Sequence, residues 1–273
     1  MTQPNRPRIV LLGSGNVASC LAPALAEAAD IIQVYSPTLT HARRLADKTR
    51  AAATDDIAAL SAEGDFYIIA VKDDAVAPLT AAVRTCARSE AWRRGIWCHT
   101  SGSSPMSVLD GLGEGRCVFY PLQTFTAGDA VDPASVTMLL EGDCAATVGN
   151  ARRLASAFTS RIYEADSAKR RRIHLAAVFA SNFANHMWSQ AQKILAADGL
   201  DLSMLEPLIE ATLRKAVAIG PHEGQTGPAR RGDTAVMAAH MDMLDPEEAS
   251  LYRCVSSSIA SDYRNNHPQI TES

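Results

Sequence analysis

The sequence predicts an α/β chain in which a parallel sheet with interleaved helices is followed by an all-α region. Three observations support this prediction. Short apolar runs alternate with helical patterns through residue 165, the first run ends in the glycine-rich segment RIVLLGSGNVA, and only helical patterns follow residue 166. Such alternation is typical of a parallel sheet covered by helices on both faces. We therefore expect two domains, 1–165 and 166–273.

Composition and charge favour a small-molecule partner. The chain has 273 residues, 47% of them hydrophobic, and a net charge of -4. This balance gives no electrostatic reason to bind nucleic acid or an anionic membrane. Glycines interrupt the N-terminal apolar run too early for a secretory signal, and no segment approaches the roughly 20 apolar residues of a membrane span. Six scattered cysteines without C-x-x-C spacing predict no zinc site or disulfide framework and favour a reducing cytoplasm.

The first predicted strand, Ile9 to Leu12, leads into the pattern G-x-G-x-x-A at Gly13, Gly15 and Ala18. Placed between a strand and a helix, this pattern is the Rossmann dinucleotide-binding turn. Gly13 allows the turn, Gly15 lets a pyrophosphate approach the backbone, and the helix N-terminus attracts its charge. The predicted pyrophosphate contacts are Gly13, Ser14, Gly15, Asn16 and Val17.

The second strand, Ile31 to Tyr35, ends at Ser36, where the ribose of the cofactor would lie. An acidic residue there would bind the ribose hydroxyls of NAD, and none is present. Ser36 and Thr38 instead offer hydroxyls to a 2′-phosphate, so we expect NADP, with NAD less favoured. The nearby Arg43 and Arg44 either help to bind the 2′-phosphate or form the solvated face of the next helix.

The third strand, Asp65 to Val71, ends where parallel sheets bind ligands, which predicts cofactor contacts from Val71, Lys72 and Asp73. Asp73 or Asp74 is also expected to cap the next helix, and the two roles are compatible.

The next two strands, Ile96 to His99 and Cys117 to Tyr120, run into turns that hold Ser101 and Gln123. Both residues are predicted to contact substrate. Gln123 stands between apolar neighbours, so its amide needs a partner in the protein backbone or in the substrate.

A long helix is predicted from Ser167 to Ala197, and its basic run 169–172 is interpreted as a solvated face. At 3.6 residues per turn, one side carries polar groups and the rest is mostly apolar, which predicts a buried helix. The polar groups would bond to neighbouring helices or face the nicotinamide and substrate. They are His174, Ser181, Asn182, Asn185 and Ser189, of which we assign His174 and Asn182 to catalysis and Asn185 to substrate binding.

The loop 220–233 is rich in glycine and proline and carries further candidate substrate-binding residues, namely Thr226, Arg230 and Asp233. An arginine there could hold a substrate carboxylate bidentately. The alternative is that the arginines are surface residues of a helix connection. Asp233 is also expected to cap the helix Thr234 to Leu244.

Five motifs occur together in this chain. They are the G-x-G-x-x-A pattern at 13–18, HTSGS at 99–103, YPLQTF at 120–125, ASNFANH at 180–186 and TGPARRGD at 226–233. In these motifs the chain resembles Rossmann-like proteins with a DUF2520-type C-terminal domain. It is more distantly similar to pyrroline-5-carboxylate reductase, ketopantoate reductase and the 6-phosphogluconate and β-hydroxyacid dehydrogenases. The resemblance implies an NAD(P)-dependent oxidoreductase with a helical second domain. The β-hydroxyacid dehydrogenases carry a Lys four residues before an Asn of this helix, where the chain has Val178, and His174 could replace it as proton donor.

We therefore predict an NADP-dependent reductase of a small carbonyl or imine compound such as a 2-oxo acid. The alternative is a non-catalytic NADP-binding sensor or scaffold, which the missing Lys favours. The apolar helices 178–195, 204–219 and 234–244 predict a homodimer through the helical domain. In the competing view, a monomer closes these helices on the Rossmann domain.

Overall fold

The computed structural model describes residues 6–126 and 131–264. The chain divides into two compact units, Met1–Asn182 and Phe183–Ser273. The division falls within the predicted long helix, and the domain assignment 1–165 and 166–273 stays a prediction.

The first unit contains one eight-stranded sheet in the order β3-β2-β1-β4-β5-β6-β7-β8. Neighbouring strands are parallel, except that β6 and β7 are antiparallel. This order confirms the predicted Rossmann architecture. The short strand β3 escaped prediction because Ala-Ala-Thr has no apolar run. The strands are β1 Arg8–Leu12, β2 Asp30–Tyr35, β3 Ala52–Thr54, β4 Phe66–Ile69, β5 Ile96–His99, β6 Gly115–Leu122, β7 Thr137–Gly142 and β8 Ile162–Glu164.

Two hydrophobic layers cover the two faces of this sheet, because successive strand residues point to opposite sides. Ile9 and Leu11 of β1 belong to the layer that contains α1 residues such as Leu25, whereas Val10 and Leu12 belong to the layer that contains Trp97. All four β1 residues are essentially inaccessible to solvent. The helices of this part are α1 Asn16–Ala28, α2 Leu39–Thr49, α3 Asp73–Thr85 and α4 Ala145–Ala155.

The predicted long helix is divided by a π-helical segment, Val178–Phe183, between α5 Ser167–Ala177 and α6 Ala184–Ala196. A π-helix is rare and frequently marks a functional position. Its wider turn shifts the phase of the residues that follow it, so the inference of one shared polar side, which assumed a uniform helix, is wrong.

The helices after the π segment are α7 Glu206–Ile219, α8 Pro221–Gly224, α9 Pro228–Arg231, α10 Thr234–Met241 and α11 Pro246–Arg264. No residue of α6, α7 or α10 is buried. Phe179 is 63% exposed, and Val217 of α7 is 80% exposed. The expectation of a buried long helix is therefore wrong for the single chain. Within 6–126 and 131–264, no helix has the length and apolar content to span a bilayer.

Candidate cofactor and proton-donor site

Gly13 closes the turn at the end of β1. Its φ is +126°, a backbone conformation that favours glycine, and its N–H donates to the carbonyl of Tyr35 at 2.8 Å. A Cβ at this position would lie 2.2 Å from the carbonyl oxygen of Ala70. Gly13 is therefore required where the ends of β1, β2 and β4 meet.

Gly15 stands at the N-cap of α1, and its surroundings fit a dinucleotide. No side chain caps the helix, and its first turn has no acidic residue. A Cβ on Gly15 would meet no atom within 4 Å, so space is open in front of the helix end. The unpaired N–H groups and positive dipole end suit a pyrophosphate. The side chain of Asn16 donates to the carbonyl of Phe125 at 3.0 Å, and Val17 packs against the core, which leaves both residues to bind through the backbone.

The predicted 2′-phosphate residues lie at the end of β2. The Ser14 hydroxyl donates to the Ser36 hydroxyl at 3.1 Å, which links the first turn to the second strand. Ser36 is buried, whereas Thr38 is exposed at the N-cap of α2 and makes no side-chain capping bond. Thr38 therefore has the more accessible hydroxyl of the pair.

Beyond β4, Val71 is half-buried and Lys72 is exposed. Lys72 is the N-cap of α3, and no side chain caps this helix, so the expectation that Asp73 or Asp74 caps it is wrong. Both carboxylates lie in the first turn, where the helix dipole favours negative charge. Asp73 accepts a hydrogen bond from the Ser103 hydroxyl instead, which ties α3 to the turn after β5.

Ser101 organises that turn from within. Its buried hydroxyl accepts the N–H groups of Ser103 at 3.2 Å and Ser104 at 2.9 Å, and its own N–H donates to Nδ1 of His99. Burial, and secondly the charge of Arg170, lower the pKa of His99 to about 4, so the ring is neutral. Ser101 thus has a structural use, and its predicted contact with substrate stays a prediction.

His174 of α5 meets Tyr120 of β6. Nδ1 of His174 and Oη of Tyr120 are 2.9 Å apart, and the rings pack edge to face with centroids 5.9 Å apart. Gly102 lies against the His174 ring, because a Cβ at this position would be 2.5 Å from Nδ1 of His174. The sequence patterns predict a role for His174 but none for Tyr120. In the sequence, the only indication of a role for Tyr120 is its position near the end of a predicted strand.

Arg170 lies one turn before His174 and is fully buried. Its guanidinium pairs with Glu141 and donates to the carbonyl of Ser104. The interpretation of the basic run as a solvated face is therefore wrong at this position. A signal was available in Glu141, an acidic residue near the end of an apolar strand that needs a partner when it is largely buried. Arg170 fixes α5 against the Ser101 turn, and with it the position of His174.

Three further candidates lie at exposed positions. Gln123 accepts the N–H of the adjacent Thr124 at 2.8 Å, so its amide finds its partner in its own loop. Asn182 lies in the π segment and Asn185 in the first turn of α6. The structure gives neither asparagine the buried setting that we expected.

Thr226 lies in the second unit and lines a cavity of about 280 Å³, whose walls are mostly apolar residues of α6, α9 and α11. Arg230 donates to the carbonyl of Gln225 and packs over the ring of Tyr263, with 4.9 Å between the guanidinium carbon and the ring centroid. Asp233 is the N-cap residue of α10 as expected, but its side chain makes no capping hydrogen bond and pairs with Arg231 instead. The substrate roles of Thr226, Arg230 and Asp233 stay predictions.

The sheet order, the Gly13 turn and the open end of α1 define a dinucleotide-binding protein of the Rossmann class. Residues 8–91 match the family described as "NADP oxidoreductase coenzyme F420-dependent", and residues 136–259 match the domain of unknown function DUF2520. A solved protein from Bacteroides fragilis, described as a "putative NADP oxidoreductase", is 39% identical, with a TM-score of 0.85 over 93% of this chain and 98% of that chain. The chain belongs to this family of NADP oxidoreductases.

More distant structures share the fold. A protein from Thermotoga maritima is 19% identical, with a TM-score of 0.75 over 94% of this chain and 99% of that one. A reductive aminase from Aspergillus terreus, solved with NADPH and ethyl-5-oxohexanoate, is 15% identical, with a TM-score of 0.69 over 97% of each chain. No curated protein matches. The predicted oxidoreductase class and its NADP cofactor are confirmed at the level of the family, and nothing in these comparisons supports the non-catalytic alternative.

Proposed function

We propose that this NADP oxidoreductase is a reductase of a small carbonyl or imine compound, with 2-oxo acids as the first substrate class to test. The observation that carries the proposal is the uncapped N-terminus of α1, with open space at Gly15, in the same unit as the Tyr120–His174 pair. When bound, NADPH would supply the hydride. The chain must then bind the cofactor, orient the substrate and provide a proton.

The backbone N–H groups after Gly15 would bind the pyrophosphate, and Ser36 and Thr38 would bind the 2′-phosphate. His174 would donate the proton through Nε2, since Nδ1 is engaged by Tyr120. Because no acidic side chain stands at residues 36–44, NADPH should bind at least about tenfold tighter than NADH, worth roughly 1.4 kcal/mol. Calorimetric titration measures this ratio, and equal affinities would contradict the assigned 2′-phosphate site.

Imines belong to the proposed substrate class for two reasons. An imine nitrogen can arrive already protonated and so needs less help than a ketone, which suits a helix with Val178 in place of the dehydrogenase lysine. The reductive aminase and imine reductases of the same fold, including one from Myxococcus stipitatus in complex with NADP+, support testing imines in this chain.

The test is oxidation of NADPH, followed by absorbance, with a panel of 2-oxo acids, ketopantoate among them, and cyclic imines. We expect turnover in at least one of these classes. Binding of NADPH without turnover of any panel member would instead favour a sensor or scaffold.

We further propose that the protein is a homodimer that assembles through the helical unit. Ala229 is the one buried hydrophobic residue among those described in 183–264, while large apolar side chains of α7 are exposed. A twofold axis would let this apolar surface meet its own copy. We place the protein in the cytoplasm, and its six scattered cysteines, without C-x-x-C spacing, support a reducing compartment.

A further inference from the structure

The Tyr120–His174 pair is fixed by backbone on one side. Tyr120 extends from β6, His174 extends from α5, and Gly102 lies against both rings. A Cβ on Gly102 would be 2.5 Å from Nδ1 of His174 and 2.8 Å from Cζ of Tyr120. The two rings therefore cannot move toward the turn, and the 2.9 Å contact between Oη and Nδ1 is a packed arrangement.

The phenol has a proton with which to serve as donor in this hydrogen bond. Burial, with a smaller contribution from the charge of Asp73, raises the pKa of Tyr120 to about 12, so the hydroxyl keeps its proton near neutral pH. In a neutral imidazole, one nitrogen donates and the other accepts. When Tyr120 donates to Nδ1, the ring proton of a neutral His174 is on Nε2.

We infer that Tyr120 is a positioning residue that holds His174 as the Nε2–H tautomer and resupplies the proton that His174 gives to the substrate. This inference rests on the proposed reductase function. The electron pair that reduction leaves on a carbonyl oxygen, or on the nitrogen of an imine that arrived without a proton, takes the Nε2 proton, and Nδ1 takes the phenol proton in the same step. Nδ1 then returns its proton to the phenolate while water supplies a proton to Nε2, which restores the phenol and the first tautomer of the ring. This transfer avoids an imidazolate, which a neutral imidazole would otherwise become.

The first test is Tyr120→Phe, which keeps the ring and removes the hydroxyl. We expect kcat for the best panel substrate to fall by about tenfold to a hundredfold, with KM and NADPH affinity unchanged. The matched control is Tyr163→Phe, which removes the hydroxyl of a 60% exposed tyrosine in β8 and should leave kcat unchanged. A kcat of Tyr120→Phe equal to that of the parent would overturn the inference.

A second measurement needs no substrate. In the ¹⁵N NMR spectrum of the full chain, the Nδ1 resonance of His174 should lie in the range of an unprotonated ring nitrogen in the parent. It should move toward the range of a protonated nitrogen in Tyr120→Phe, but not in Tyr163→Phe. An unmoved resonance would overturn the inference even if kcat falls. If the parent turns over no panel member, the reductase proposal fails, and the spectrum still decides whether Tyr120 sets the tautomer.

Gly102→Ala is a second variant for the same question. It leaves the phenol in place but puts a methyl carbon 2.5 Å from Nδ1 of His174 and 2.8 Å from Cζ of Tyr120, so the rings must shift. The inference predicts the same loss of kcat and the same movement of the Nδ1 resonance as in Tyr120→Phe. If Gly102→Ala moves the resonance without lowering kcat, proton supply by Tyr120 is excluded.

Discussion

The two units of the chain treat their apolar residues differently. In the sheet, β1 is buried on both faces, and two complete hydrophobic layers surround it. In the helical unit, α6, α7 and α10 contain no buried residue, and Leu213 and Val217 are 65% and 80% exposed. The first unit therefore has a complete core, whereas the exposed apolar residues of the second suit the proposed homodimer. We accordingly assign cofactor binding to the first unit and assembly to the second.

The first prediction follows from assigning cofactor binding to the first unit. Gly15→Val fills the open space before α1, so NADPH affinity should fall by at least about a hundredfold, worth roughly 2.7 kcal/mol. The fold should survive, because a Cβ at this position meets no atom within 4 Å. Calorimetry measures the affinity, and circular dichroism checks the fold.

The matched control is Gly149→Val. A Cβ on Gly149 also meets no atom within 4 Å, but this residue lies inside α4. Its NADPH affinity should equal that of the parent. Near-normal affinity in Gly15→Val would remove the pyrophosphate site from the end of α1.

A second prediction concerns His99, which the complete core of the first unit holds neutral. Its pKa is lowered from 6.5 to about 4, so the unfolded chain binds a proton in this interval that the folded chain does not. Stability should therefore rise with pH between about 4 and 6.5 and fall as the pH decreases through that window. The shift corresponds to about 3 kcal/mol of unfolding free energy.

Urea unfolding isolates the contribution of His99 to the free energy of unfolding. The parent and His99→Asn are each measured at pH 7 and near pH 4. Between pH 7 and the lower pH, the free energy of unfolding of the parent should fall by about 3 kcal/mol more than that of the variant. Equal losses in both proteins would show that His99 is not the group responsible.

The third prediction tests assembly through the second unit. Light scattering should give the parent twice the 29.1 kDa of one chain at micromolar concentration. Val217→Asp places a charge on the exposed apolar surface of α7 and should return the mass to 29.1 kDa, whereas Ala157→Asp, at an exposed site of the first unit, should remain dimeric. A parent mass of one chain would refute the dimer.

The same contrast explains how much of the molecule the sequence could predict. The Gly13–Gly15 turn and the buried strands are local patterns, so both were predicted with nearly correct bounds. Tyr120 and His174 lie 54 positions apart, and only the folded sheet brings them together. Arg170 looked like one charge in a solvated run because its partner Glu141 is 29 residues away.

The helical region was harder because its prediction assumed a regular helix and a self-contained core. The π segment Val178–Phe183 breaks the 3.6-residue phase on which the polar stripe depended. The exposed residues Phe179 and Leu213 show that an apolar sequence need not be buried within its own chain. Periodicity indicates which residues are apolar, but it does not tell which surface covers them.

The central claim is that His174 donates the proton in an NADPH-dependent reduction. The most direct test measures kcat of His174→Ala with the best panel substrate. The control is His186→Ala, which removes an exposed imidazole on α6 that contacts Gln190. We predict that His174→Ala loses about a hundredfold to ten-thousandfold in kcat and keeps its NADPH affinity, while His186→Ala keeps both. A kcat of His174→Ala equal to that of His186→Ala would contradict the account.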